Sequence, residues 1–262
     1  MELSLRRVLG GALMASLAFD ASVAGSQGFA QGRAGIVGLL AGGQAVFGIF
    51  SGPHTPAQGA LMARTVDPDF VFYSLESGPF DVPGMRAYGE AMRQASVERS
   101  PPPLVLRIPP IRDGADAARD RQGLAAGVAA IVFPHVESAR DAALAVEFMG
   151  PELRPGNPDG QRVAMLIIED TVGIARAREI VSTPGVGVVF AGPGDLRRAY
   201  HGDMAAVERA IQTVLAACKE FAVPCGITAG VDDVATRLAQ GFRVVIVSQA
   251  EALSAGRRAA GR

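Results

Sequence analysis

The chain has 262 residues, 25 basic against 26 acidic, for a net charge of −1, and 49% of its residues are hydrophobic. That composition excludes global disorder and gives no electrostatic case for nucleic acid or an anionic membrane surface. The absence of Trp and the presence of only 3 Tyr argue against aromatic stacking platforms for single strands or sugars.

In chain order, the first segment stands apart. Met1 to Arg7 is a short basic start, Val8 to Phe19 is apolar, and small residues precede two cleavage points, after Ala24 and after Ala30. This is the pattern of a secretory signal. The apolar run is too short to span a bilayer, which takes about 20 residues. Residues 1–30 are expected to direct export, placing the protein in the periplasm or outside the cell. The alternative is a helical extension on a cytoplasmic protein. Residues 31–262 are expected to form one domain.

From residue 44 onward the sequence alternates. The predicted strands are 45–51, 70–76, 103–109, 129–136, 162–169, 186–192, 224–229 and 243–248. Most are near-continuous apolar runs, as parallel strands covered on both faces require. Segments 56–66, 83–97, 113–126, 138–149, 172–183, 204–221 and 231–240 carry helical periodicity, and 151–160 reads as a polar loop. Eight strands alternating with helices predict a (β/α)8 TIM barrel. A doubly wound open sheet is the competitor, but no G-x-G-x-x-G follows the first strand.

In such a barrel chemistry sits where strands end at their carboxyl side. Those ends carry Glu76 and Ser77 after the second strand, Arg107 on the third and His135 after the fourth. Glu169 and Asp170 follow the fifth, Gly192-Pro193-Gly194-Asp195 the sixth and Thr228 the seventh. Glu169 and Asp195 fall at adjacent strand ends, where two carboxylates repel unless they share a proton or a cation. With waters and a chelating substrate they describe a divalent Mg- or Mn-type site; the plainer alternative is a pair of salt-bridge carboxylates. Arg107 is suited to clamp a carboxylate or an enolate oxygen. Lys219, the only lysine, lies inside a helical stretch, a poor position for Schiff-base chemistry. Cys218 and Cys225 are either two buried thiols or, after export, a disulfide.

The segments VFGIFSG, DFVFYSLESGPFD, PLVLRIP, LAAGVAAIVFPHVESARDA, LIIED and PGVGVVFAGPGDL resemble the HpcH/HpaI aldolase/citrate lyase β-subunit family, from about Gln31 to about Ala252. The resemblance implies a (β/α)8 barrel, frequent exchange of the eighth helix within a homo-oligomer, and reversible aldol cleavage of 4-hydroxy-2-oxo acids to pyruvate and an aldehyde. It implies Glu169 and Asp195 as ligands of Mg²⁺, Mn²⁺ or Co²⁺. Arg107 would bind the 2-oxo group, with the Gly194 and Asp195 backbone receiving the carboxylate.

Three positions depart from the family pattern. Its histidine after Glu76 is Ser77, its aspartate two residues before Glu76 is Ser74, and its L-D-x-G aspartate is Ala125. The histidine and the last aspartate form the family's acid/base device, so the resemblance implies that the device is altered here. Glu76 is retained and is expected to hold a metal-bound water or to anchor its turn, and Ser77 beside it is expected to contact substrate. His54, His135 and His201 are the candidates for replacing the missing base. The expected activity is a divalent-metal carbon–carbon lyase acting on a 2-oxo acid. The alternatives are an exported, non-catalytic binder of a small carboxylate and a citrate-lyase-like enzyme acting on acyl thioesters.

Overall fold

The computed structural model describes residues 35–97, 99–111, 117–150, 153–154 and 159–262. The segment read as an export signal lies outside the described residues, as do 113–116 of the predicted 113–126 helix and most of 151–158.

The first described helix, α1 (Ile36–Ala41), leads into β1 (Val46–Phe50), α2 (Pro56–Thr65), β2 (Phe70–Ser74), α3 (Val82–Ala95) and β3 (Leu104–Arg107). Then come α4 (Ala117–Ala125), β4 (Ala130–Phe133), α5 (Ala139–Met149), the two-residue β5 (Leu153–Arg154) and β6 (Arg162–Ile168). The rest is α6 (Thr171–Ala175), α7 (Ala177–Val181), β7 (Val188–Ala191), α8 (Pro193–Ala199), α9 (Met204–Glu220), β8 (Cys225–Thr228), α10 (Val234–Gln240), β9 (Val244–Val247) and α11 (Ala250–Ala259). All strand pairings are parallel, and pairing of β4 with β6 closes β1–β4 and β6–β9 into an eight-stranded barrel. The fold is the (β/α)8 barrel. The supernumerary β5, within the segment read as a loop, pairs with the first two residues of β6.

Strand alternation sorts the apolar residues into two cores. Val46, Phe70, Phe72, Val105, Val132, Met165, Ile167, Val188, Phe190, Val244 and Ile246 fill the barrel interior. Their outward neighbours, among them Phe47, Tyr73, Leu106, Ile131 and Val245, pack under the helices. Small residues face large ones inside: a Cβ on Gly48 would lie 2.2 Å from the Phe70 ring, and one on Gly226 2.5 Å from Phe190. The barrel is therefore a packed body, open to chemistry only at a rim. Ile36 and Leu39 of α1 join the interior cluster and plug its amino end. Periodicity did not reveal this helix, which has only six residues.

Caps fix where the helices start. Asp81 accepts from the Gly84 amide (2.9 Å), Ser138 from Asp141 (3.2 Å) and Asp203 from Ala205 and Ala206 (both 3.0 Å). The predicted 172–183 helix is two short helices that meet at Arg176. The final helix, α11, lies on its own barrel: a Cβ on Gly256 would lie 2.5 Å from Phe47. At the amino end, Asp69 is 3% exposed and receives Arg257 (2.9 Å), Arg262 (2.7 Å) and the Phe47 amide (2.8 Å). Among the described residues no helix is long and apolar enough to cross a membrane.

Candidate active site at the carboxyl end of the barrel

A cavity of about 200 Å³ opens at the carboxyl end, lined by Phe50, Phe72, Arg107, Ile167, Glu169 and Phe190, with Ala191 to Asp195, Thr228 and Ile246. That volume suits a small acid, not a nucleotide. Its floor is apolar and its polar groups converge from few positions, as small-molecule sites generally do.

Arg107 ends β3 facing inward, and the β2–β3 register sets it directly beside Ser74. Its Nε donates to Ser74 Oγ (2.9 Å), its Nη2 pairs with Glu76 Oε2 (2.8 Å), and the guanidinium stands 5.4 Å from the centroid of the Phe72 ring. The serine that replaces the family's aspartate thus supports the arginine without adding charge. The fork is held on one edge, leaving donors for a ligand.

Glu169 follows β6 and is 3% exposed. Its Oε1 accepts from the His135 amide (3.0 Å), and its carboxyl interacts with Asp195. Burial pushes its pKa up to about 8; the His135 amide opposes the rise, and the nearby Asp195 and Glu76 add to it. Gly192 makes room for this side chain. A Cβ there would lie 2.7 Å from both Cβ and Oε2 of Glu169 and 3.0 Å from Ile167. Gly192→Ala is therefore expected to keep the fold but displace Glu169. Divalent-ion affinity should fall about 10–100-fold, the usual scale for a lost supporting contact, measured by titration calorimetry beside a denaturation curve.

Asp195 lies in the first turn of α8 and forms an ion pair with the exposed Arg198. In that turn the first intrahelical bond runs from the Leu196 amide to Gly192 O (3.0 Å). The amides of Gly194 and Asp195 precede it and border the cavity. No atom lies within 4 Å of where a Gly194 Cβ would be, so this edge is open.

By sequence, His135 is one of three candidates for a stand-in base. The structure places it between two acids: its imidazole stands 3.6 Å from Glu76 Oε1 and 3.6 Å from Glu169 Oε1. Its backbone is left-handed, with φ 52°, an uncommon state for a residue with a side chain. The adjacent Pro134-His135 at a strand end was the available signal.

The expected contact of Ser77 with substrate is corrected, and the other candidates lie outside the cavity. Ala125 ends α4, five residues before β4, and the neighbouring Leu124 carbonyl receives Arg162 from the start of β6 (3.3 Å). It therefore lies at the amino end of its own barrel, away from this cavity. Ser77 is exposed and is not among the cavity-lining residues. Asp170 caps α6 through the Gly173 amide (2.7 Å). His54 stacks on the outward-facing Tyr73 at 3.9 Å, and burial lowers its pKa. His201 is exposed in the turn after α8, and Lys219 is an exposed residue of α9. Cys218 and Cys225 are buried free thiols.

Three carboxylates thus meet in one place. Arg107 serves Glu76 and Arg198 serves Asp195, while the buried Glu169 has the His135 amide and the imidazole of the same residue at 3.6 Å. This donor set fits a divalent cation, whose charge would hold Glu169 ionised. Without metal, folded Glu169 keeps its proton up to about pH 8, while the unfolded chain releases it near the usual carboxylate value. The folded state then binds the extra proton, so metal-free stability falls as pH rises between those two values. Glu169→Gln should accordingly melt above the wild type at pH 9 in chelator, by about 5 °C. The difference should vanish near pH 4, as scanning calorimetry would show.

The chain is thus a (β/α)8 barrel with an acid-rich rim at its carboxyl end. The HpcH/HpaI aldolase/citrate lyase family pattern matches residues 48–250, and the chain belongs to that family. A hydroxypyruvate/pyruvate aldolase of Paraburkholderia phytofirmans is 26% identical over 190 residues, 62% of this chain and 70% of that protein. A family member of known structure from Burkholderia cenocepacia superposes with a TM-score of 0.68 at 24% identity, covering 82% of this chain and 93% of that one. The Mycobacterium tuberculosis citrate lyase β subunit, solved with oxaloacetate and magnesium, gives 0.60 at 21%, covering 84% and 98%.

Proposed function

We propose that the protein is a divalent-metal-dependent carbon–carbon lyase that acts on a small 2-oxo acid through a pyruvate-type enolate. The observation that carries this reading is the convergence of Arg107, Glu169 and Asp195 on one cavity of small-acid size. The relatives named above, an aldolase and a lyase subunit holding magnesium and oxaloacetate, support it.

Glu169 and Asp195 would hold the ion, Mg²⁺, Mn²⁺ or Co²⁺. Bound there, such an ion supplies Lewis-acid polarisation of a carbonyl. Arg107 orients the 2-oxo group and meets the oxygen on which negative charge grows. Its posture is set before substrate arrives, because Ser74 and Glu76 hold two of its donors. The Gly194 and Asp195 amides receive the substrate carboxylate. Phe50, Phe72 and Phe190 exclude water from the reacting carbon. Ser77 does not titrate near neutral pH and takes no proton-transfer role.

The test is deuterium exchange at the pyruvate methyl group, followed by proton NMR with and without Mg²⁺, Mn²⁺ or Co²⁺. Metal-dependent exchange is the expected result, and it requires no knowledge of the aldehyde partner. Metal-dependent pyruvate binding without exchange would instead assign the chain as a carboxylate binder. An outcome with neither would remove pyruvate as the ligand.

A further inference from the structure

We propose that His135 is a nitrogen ligand of the ion held at Glu169, so that this site prefers imidazole-accepting cations such as Mn²⁺, Co²⁺ or Zn²⁺ over Mg²⁺. The inference rests on the metal reading given above and adds to it a donor that the two-carboxylate pair does not contain. Glu76, His135 and Glu169 each offer one ligand atom, and those three atoms all lie within 4.8 Å of one another.

The spacing is not that of hydrogen-bonded partners. Nε2 stands 3.6 Å from Glu76 Oε1 and Nδ1 3.6 Å from Glu169 Oε1, both beyond the roughly 2.7–3.2 Å of an N–H···O bond. A small turn of the ring would bring a single nitrogen to both oxygens at the roughly 3.0–4.2 Å that separates donors about 2.1 Å from one ion. Each carboxylate is also held by a second group. Glu76 uses Oε2 for Arg107 and turns Oε1 toward His135. Glu169 is steadied by the amide of His135 itself (3.0 Å). Asp195 interacts with Glu169 and also pairs with Arg198. The left-handed backbone at residue 135 is what lets one residue present both its amide and its ring to this cluster.

Imidazole favours Mn²⁺, Co²⁺ and Zn²⁺ over the harder Mg²⁺, so the ring predicts a selectivity as well as a ligand. The experiment loads the metal-free, tag-free full chain with Mn²⁺ and records pulsed electron paramagnetic resonance with unlabelled and ¹⁵N-histidine protein. A directly bound nitrogen, whose coupling changes with the label and disappears in His135→Gln, is expected. In parallel titrations, His135→Gln should lose about tenfold or more in Co²⁺ affinity, with a much smaller change for Mg²⁺. The labelled wild type decides the question even where the variant fails to fold. Bound Mn²⁺ with no nitrogen coupling, or a coupling that persists in His135→Gln, would overturn the proposal and leave the metal reading intact. A wild-type chain that binds no divalent ion at millimolar concentration would overturn both.

Discussion

Arg107→Ala will lower metal-dependent deuterium exchange into pyruvate by about 10²–10³-fold while the barrel remains folded. That is the usual cost of removing one preorganised donor to a developing oxyanion. The side chain ends β3, 22% exposed, so its removal creates no deep cavity. Its loss frees Glu76 Oε2 and adds an unneutralised carboxylate beside Glu169 and Asp195. Divalent-ion affinity should therefore hold or rise while exchange collapses. The combination separates loss of enolate stabilisation from loss of the ion. Arg107→Lys keeps the charge but loses the fork that spans Ser74 and Glu76, and should recover only part of the rate. Exchange in Arg107→Ala at the wild-type rate would remove this arginine from the chemistry.

The largest effect on stability is expected at the other end of the barrel. Asp69 precedes β2, is 3% exposed, and gathers Arg257 (2.9 Å), Arg262 (2.7 Å and 2.9 Å) and the Phe47 amide (2.8 Å). These contacts join β1, the entry to β2 and the end of α11. Asp69→Ala would leave the Phe47 amide without its acceptor and two guanidinium groups without their carboxylate, each keeping a backbone carbonyl, Asp67 O for Arg257 and Ala45 O for Arg262. Removing one member of a buried ionic cluster costs about 3–5 kcal/mol. The arginine side chains are 23% and 17% exposed, so solvent compensates in part and the loss should fall near ~3 kcal/mol. A urea or guanidinium denaturation midpoint would measure it. Exchange in the surviving folded fraction should be unaffected, because this cluster lies at the end opposite the cavity.

Much of the architecture was legible because it rests on local patterns. The apolar runs of β6 and β9 are covered on both faces, and burial on both faces removes polar residues. Arg107, Glu169 and Asp195 were visible as polar residues interrupting such runs at strand ends, where a barrel places its site. Other features could not be read that way. Ser77, beside the retained Glu76, looked like part of the site, but its side chain leaves the strand toward solvent. Ala125 looked like half of a lost acid/base pair, but α4 ends at the opposite mouth of the barrel. Helix α1 is too short to display a period, yet it closes the interior with Ile36 and Leu39.

What the chain determines by itself is the order of elements, the inward alternation and the residue types offered at each strand end. These follow from short-range periodicity and from which side chains tolerate burial. The tertiary structure alone decides which of those residues meet. Parallel register sets Ser74 beside Arg107 across 33 positions of sequence. The close approach of Gly192 opens the space for Glu169. A left-handed turn at His135 brings its ring between Glu76 and Glu169. Contacts of this kind depend on register, backbone handedness and excluded volume summed around a closed barrel, and no local window of the sequence contains them.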